Sequence, residues 1–357
     1  MKRFAILISS CFGITASFAQ LTGDQSDYEP FANSTGSGGT SYTVGQPLPG
    51  NSRTLPAGFD SVATAGVGTP SWWEYIDAAT ARTTPSPTIV SGDLPYPGLA
   101  SSASGASAQF HGVGTSALYN LTTDTNATGY TAGLGYTSIY YSFTLRLSDI
   151  SSLPTAQSGA SLIAGFTKVE SHKNATVTPN SVGAQLWIRS DGGTGYQLGF
   201  EGGSGANFVL ATPTFDLDPH SVGETLFIVG QYDFTTTNSS LWINPTPGGL
   251  QPAPDVTDLA SSAMQRVASF TLFGDNPEVG SGNFAITGQI DNLRDGLTWA
   301  SVTPAPEPST FALAALGLAA LSRRRSSRKS PRKASCSGEH HCAGAKRDFS
   351  ASNNSRS

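Results

Sequence analysis

The long central part of this chain has no cysteine and few basic residues. Cys11, Cys336 and Cys342 all lie close to the two ends of the sequence. The region between the ends therefore has neither a disulfide framework nor a thiol nucleophile, and its fold depends on an apolar core. Residues 20–304 contain 22 acidic and 8 basic side chains, a net charge of −14. This balance argues against nucleic acid as a partner, because phosphate binding needs clustered Lys and Arg.

The sequence also lacks amphipathic helices of useful length, and strand patterns take their place. Apolar and polar side chains alternate along residues 139–147, where Ile139, Tyr141 and Phe143 share one face. Turns rich in Gly, Pro and Asn separate further strand-like segments. These segments are residues 161–166, 184–189, 196–200, 208–211, 226–234, 240–244, 267–273 and 284–293.

Many short strands without crossover helices predict an all-β fold, an antiparallel β-sandwich or jelly roll. Asp191-Gly192-Gly193 between two strands predicts a hairpin turn. We assign the sandwich ectodomain to residues 53–304. Residues 20–52 are rich in Gly, Ser and Thr, and we interpret them as a leader or as a first edge strand.

The N terminus has the pattern of a secretion signal. Lys2 and Arg3 precede an apolar segment, residues 4–18, and Ser17 and Ala19 supply the small residues of a cleavage site. We therefore predict a signal helix in residues 1–19 and cleavage by signal peptidase after Ala19.

The C-terminal region contains three features in a fixed order. Pro306, Glu307 and Pro308 are followed by the apolar run 311–321 and then by Arg323, Arg324 and Arg325. The apolar run favours a short helix of roughly 21 Å, against a hydrocarbon core of about 30 Å. The Arg cluster would hold its C-terminal side in the cytoplasm.

This order, over residues 305–325, resembles the PEP-CTERM sorting signal. The resemblance implies an exosortase substrate of a Gram-negative bacterium, anchored transiently in the inner membrane and then delivered to the cell surface or extracellular matrix. The family usually ends soon after the Arg cluster, whereas residues 326–357 continue as a polar, basic segment that we expect to be disordered. Read-through of a stop codon is an alternative origin for that segment.

The ectodomain has a second resemblance, to PEP-CTERM proteins of environmental bacteria related to laminin-G and concanavalin A-like jelly rolls. It extends over roughly residues 28–304 and implies a fold without implying an activity. The segments that carry it are Leu94-Pro95-Tyr96-Pro97-Gly98-Leu99, Tyr140-Tyr141-Ser142-Phe143, Leu241-Trp242-Ile243-Asn244-Pro245, Ile290-Asp291-Asn292-Leu293-Arg294 and residues 296–304.

Concanavalin-like folds include glucanases, so we searched for paired carboxylates. The Glu-x-Asp-x-Glu spacing that places a nucleophile and an acid on one strand face is absent from the sequence. Asp216 and Asp218 are the nearest pair, and Glu201 and Glu224 are isolated in sequence. No catalytic residue and no required cofactor are assigned.

Two weaker site hypotheses remain. The carboxylates of Asp191, Asp216 and Asp218 are candidate ligands for Ca²⁺, the alternative being that they only stabilise turns.

Among the tryptophans, Trp72 and Trp73 follow a proline and stand close to Tyr75, which makes these three side chains the candidate glycan contacts. The alternative is a structural role.

The sequence therefore predicts an exported, non-enzymatic surface or matrix protein that binds extracellular polysaccharide. Two alternatives stay open. One is a glycoside hydrolase-like enzyme whose carboxylates meet only in three dimensions, and the other is a purely structural surface protein.

Overall fold

The computed structural model describes residues 26–29, 31, 43–46, 48, 72–75, 87–100, 105–111, 116–120, 130–153, 160–167, 181–205, 213–259, 266–272 and 286–305. For the strands at 26–29, 72–75 and 116–120, it describes only the backbone. The predicted signal peptide with Ala19, the sorting residues Pro306 to Pro308 and Arg323 to Arg325, and the predicted strand at 208–211 lie outside the described residues.

Sixteen strands account for most of the described chain, together with a 3₁₀ turn at Ala132–Leu134 and a short helix, α1, at Trp299–Val302. The strands are β1 (Ser26–Glu29), β2 (Trp72–Tyr75), β3 (Thr88–Ser91), β4 (Ala106–His111), β5 (Ser116–Asn120), β6 (Ser138–Asp149), β7 (Ser161–Thr167), β8 (Ser181–Ser190), β9 (Gly195–Gly205), β10 (Thr214–Phe215), β11 (His220–Ser221), β12 (Thr225–Asp233), β13 (Asn238–Ile243), β14 (Val256–Leu259), β15 (Ser269–Leu272) and β16 (Thr287–Gly296).

The strands form two eight-stranded antiparallel sheets, which confirms the predicted all-β sandwich. Sheet A has the order β14-β13-β12-β6-β16-β4-β3, with β1 also paired to β16. Sheet B has the order β10-β9-β8-β7-β15-β5-β2, with β11 also paired to β9. The predicted hairpin is present, since Asp191 to Thr194 connect β8 and β9.

The main core lies between the sheets and is built from one face of each. Ile139, Tyr141 and Phe143 of β6 point into it, as the alternation predicted. The Tyr141 hydroxyl donates a 2.8 Å hydrogen bond to the Ala184 carbonyl on β8, so this side chain links sheet A to sheet B. Its ring occupies the space where a Cβ at Gly230 would lie, 2.4 Å from the nearest ring atom.

A second apolar cluster covers the outer face of sheet A. Trp242 and Trp299 have ring centroids 5.0 Å apart, and Tyr140 lies against both. Phe227, Val229 and other apolar side chains complete it. Helix α1, which begins after the N-cap Thr298, therefore packs on the sandwich.

No helix within the described residues is long and apolar enough to cross a membrane. The apolar run 311–321 lies outside them.

Candidate functional site

The outer face of sheet B carries polar side chains that are buried. Along β8, Leu186 and Ile188 belong to the main core, so the alternating Gln185, Trp187 and Arg189 lie on the opposite face. Trp187 is nevertheless only 2% exposed and Gln185 is fully buried. This face is thus not an ordinary solvated surface.

Strand β9 pairs with β8 and adds further residues to the same outer face. Gln185 pairs with Glu201, and Arg189 pairs with Gln197. The Arg189 Nε donates a 3.0 Å hydrogen bond to the Gln197 Oε1. We call these four residues, together with Trp187, the β8–β9 face.

An aromatic ring from β10 lies on the β8–β9 face. The Arg189 guanidinium carbon is 3.9 Å from the centroid of the Phe215 ring, a cation–π contact. A Cβ atom at Gly199 would lie 2.6 Å from the same ring. A side chain at position 199 would therefore displace the Phe215 ring from its present place on this face.

Several buried polar atoms in sheet B have no hydrogen-bond partner among the described residues. Two of them, Trp187 Nε1 and Glu201 Oε2, belong to the β8–β9 face, and Thr271 Oγ1 lies on β15. An unpaired buried polar atom costs about 1–3 kcal/mol, so such atoms are uncommon in folded proteins. Their hydrogen-bonding capacity is therefore not met within the described part of the chain.

Glu201 is the ionisable group at the centre of this arrangement. Burial, and after it the negative charge of Asp258, raises the pKa of Glu201 to about 7. Near neutral pH its carboxyl group therefore exists in both protonation states, so it is able to donate or to accept a hydrogen bond. Glu201 was isolated in the sequence, and only the approach of β14 brings Asp258 near it.

Asp258 itself is engaged in joining the two sheets. Its carboxylate accepts hydrogen bonds from the Gly202 backbone N–H at 2.8 Å and from the Thr214 hydroxyl at 3.2 Å. The Ser239 hydroxyl donates to the Gly202 carbonyl at 3.2 Å. Strands β13 and β14 of sheet A are thereby connected to β9 of sheet B, directly beside Glu201.

Two of the three predicted calcium ligands, Asp191 and Asp216, accept hydrogen bonds within turns, and Asp218 contributes a backbone N–H to one of them. Asp191 Oδ1 accepts hydrogen bonds from the backbone N–H groups of Gly193 at 2.7 Å and Gly195 at 3.1 Å. Asp216 accepts one from the Asp218 N–H at 3.2 Å and lies 3.3 Å from a ring nitrogen of His220. Within the described part of the chain, no three His, Cys, Asp or Glu side chains are grouped closely enough to hold a metal. The calcium hypothesis stays a prediction.

The predicted glycan contacts lie in β2, at one end of sheet B. Trp72 and Trp73 are in register with Tyr119 and Leu118 of β5. Tyr75 ends the strand, in register with Ser116. Their side chains lie outside what the structure describes, so their role as a glycan contact also stays a prediction.

The last described residues are fastened to sheet A up to the start of the sorting segment. The Ser142 hydroxyl donates to the Val302 carbonyl at 2.6 Å, and the Gly248 N–H donates to the Thr303 carbonyl at 2.6 Å. The Ala100 N–H donates to the Pro304 carbonyl at 3.0 Å. The Pro-Glu-Pro sequence therefore begins two residues after the last backbone hydrogen bond that holds the chain to the sandwich.

Comparison with solved structures gives distant similarities. Endo-β-1,4-glucuronan lyase from Trichoderma reesei has a TM-score of 0.36 and 13% identity, covering 64% of this chain and 94% of its own. Alginate lyase A1-II′ has a TM-score of 0.36 and 8% identity, covering 64% and 95%. The heptameric SAP-like pentraxin from Limulus polyphemus has a TM-score of 0.30 and 9% identity, covering 47% and 69%. The fold assignment itself rests on the topology of the two sheets.

No curated protein matches the sequence. Residues 304–327, in contrast, match the family described as the PEP-CTERM protein-sorting motif. The match includes Pro306, Glu307 and Pro308 and the three arginines at 323–325, as the sequence predicted. This motif implies an exported protein that exosortase sorts by way of a membrane-anchored stage.

Proposed function

We propose that this protein is displayed on the surface, or in the extracellular matrix, of a Gram-negative bacterium and binds polysaccharide there without cleaving it. The observation that carries the proposal is the sorting motif at residues 304–327, which follows a β-sandwich fastened as far as Pro304. Export by this route would bring the sandwich into contact with extracellular polymers. Its high acidic content makes a neutral polysaccharide a better ligand than an acidic one.

The chemistry of the β8–β9 face supports polysaccharide as the ligand. Sugar rings are recognised by combinations of aromatic side chains with hydrogen-bonding groups that fix the hydroxyls. The indole N–H of Trp187 has no acceptor within the part of the chain that the structure describes, and the carboxyl group of Glu201 is able to act as donor or acceptor. The glycan contacts predicted at Trp72, Trp73 and Tyr75 would extend the binding site toward the other end of sheet B.

Binding of residues 20–307 to a polysaccharide array, in Ca²⁺ and in chelator, tests this function. We expect Trp187→Phe to weaken binding several-fold, because it removes the free donor and keeps an aromatic ring. Trp242→Phe is the matched control, because the Trp242 Nε1 donates to the Pro252 carbonyl at 3.0 Å, away from this face. Loss of binding in chelator would favour the predicted calcium ligands, and absence of binding to every polysaccharide would contradict the proposal.

A second candidate function, polysaccharide hydrolysis, is favoured by the pair Glu201 and Asp258. A buried carboxyl group with a pKa of about 7 has the property required of a general acid in glycoside hydrolysis. Asp258 would then act as the second carboxylate, in addition to its role between the sheets.

Release of reducing ends from the polysaccharides that bind separates the two functions. An enzyme would lose its activity in Glu201→Gln, whereas a binding module would release none in either form. Thr214→Val serves as a control, because it removes one hydrogen bond to Asp258 and keeps both carboxyl groups.

A further inference from the structure

Three segments meet where the chain leaves the sandwich: residues 94–100, 244–254 and 297–305. The Trp299 Nε1 donates to the Gly249 carbonyl at 3.0 Å, and the Gly248 N–H donates to Thr303. We call the exposed part of these segments the exit surface. It surrounds Pro304 and Ala305, the last described residues before the sorting sequence.

The three segments contain no charged residue, although the exposed Asp255 directly follows one of them and residues 20–304 carry a net charge of −14. Its most exposed apolar side chain is Leu250, which is 96% exposed. Leu250 lies in a loop held by the hydrogen bonds of Trp242 and Trp299 to the carbonyls of Pro252 and Gly249. The loop thus presents a leucine to solvent on a fixed backbone.

The sequence limits how far this surface lies from a membrane during sorting. Seven residue steps connect Pro304 to Phe311, the first residue of the apolar run, a length of about 25 Å when fully extended. Anionic lipid headgroups repel acidic protein surfaces, so an uncharged surface is the part of this ectodomain that approaches a bilayer at the lowest electrostatic cost.

We propose that, during the membrane-anchored stage, the exit surface rests on the periplasmic face of the inner membrane, with Leu250 in the headgroup region. This inference depends on the anchored stage of the proposed function and is independent of what the ectodomain binds. The acidic remainder of the sandwich then points away from the bilayer.

A fluorescent label at Leu250 tests the proposal in the full chain. Cys11→Ser, Cys336→Ser and Cys342→Ser remove the native thiols, and Leu250→Cys then carries an environment-sensitive dye. The chain is reconstituted in vesicles of phosphatidylethanolamine with a minority of phosphatidylglycerol. We expect blue-shifted emission and several-fold stronger quenching by headgroup-labelled nitroxide lipid than for the control label.

The matched control is Leu217→Cys, because Leu217 is also highly exposed, at 84%, but lies beyond β10 in sheet B. Flotation of the chain with the vesicles is measured in the same samples. A chain that floats but whose two labels behave alike overturns this inference alone. A chain that does not float overturns the anchored stage, and this inference with it.

Discussion

Each sheet has a buried patch on its outer face, and the two patches differ in how their polar atoms are paired. In the cluster on sheet A, the indole N–H groups of Trp242 and Trp299 each donate to a backbone carbonyl. On the β8–β9 face of sheet B, the indole N–H of Trp187 and one oxygen of Glu201 have no partner among the described residues. The paired groups stabilise the fold, whereas each buried polar atom without a partner lowers the stability of the fold.

Hydrogen bonds from β16 hold residues 94–100 against the outer face of sheet A. The Asp291 carboxylate accepts a hydrogen bond from the Leu94 N–H at 3.0 Å, and Arg294 donates to the Ala100 carbonyl. These contacts fix residues 94–100 over the sheet. Burial nevertheless raises the pKa of Asp291 to about 7, so this face too contains a carboxyl group that is costly to ionise.

The largest expected effect is the loss of stability on removing the centre of the sheet A cluster. Trp299→Ala deletes the ring contacts with Trp242 and Tyr140 and the hydrogen bond to Gly249, so the free energy of unfolding of residues 20–307 should fall by about 3–5 kcal/mol. Urea unfolding followed by tryptophan fluorescence measures it. A loss below about 1 kcal/mol would show that α1 is not part of the stable fold.

A smaller effect of opposite sign is expected at Glu201. The pKa of Glu201 is raised from 4.5 to about 7 on folding, so the folded state holds its proton more tightly than the unfolded state. Its contribution to stability is complete below about pH 4.5 and is lost as the pH rises through about 7. Glu201→Gln should therefore raise the free energy of unfolding at about pH 8 by about 1–3 kcal/mol.

Urea unfolding of both proteins across this pH range is the measurement. The variant should keep part of the decline with pH, because the pKa of Asp291 is raised in the same way. Equal stability of the two proteins at about pH 5 and at about pH 8 would contradict the burial of an ionisable Glu201.

The smallest effect compares the two indole N–H groups directly. Trp242→Phe removes a paired donor and leaves the Pro252 carbonyl without it, which should cost about 1 kcal/mol more than the change in ring size. Trp187→Phe removes a donor for which the described residues offer no acceptor, and it should cost less. Thermal unfolding of the two variants decides the comparison, and a larger loss for Trp187→Phe would show that its N–H is paired in solution.

The strands and the sorting signal could be predicted from the sequence, because both are local patterns of residue types. Alternation along residues 139–147 correctly predicted which side chains of β6 enter the core, and Asp191-Gly192-Gly193 predicted the β8–β9 turn. The sequence is apolar on both faces over residues 226–230, and this is explained by β12, which lies inside sheet A between β13 and β6. The sorting motif required only a linear order of residue types.

The candidate site could not be predicted from local patterns, because its residues belong to strands that are far apart in the sequence. No spacing rule connects Glu201 to Asp258, and alternation alone did not indicate that the outer face of β8 would be buried. Composition and local patterns therefore determined the fold class, the destination and the acidic character of this protein. The packing of the two sheets decided which carboxylates meet and which hydrogen-bond partners the indole N–H groups find among the described residues, because both depend on contacts between distant segments.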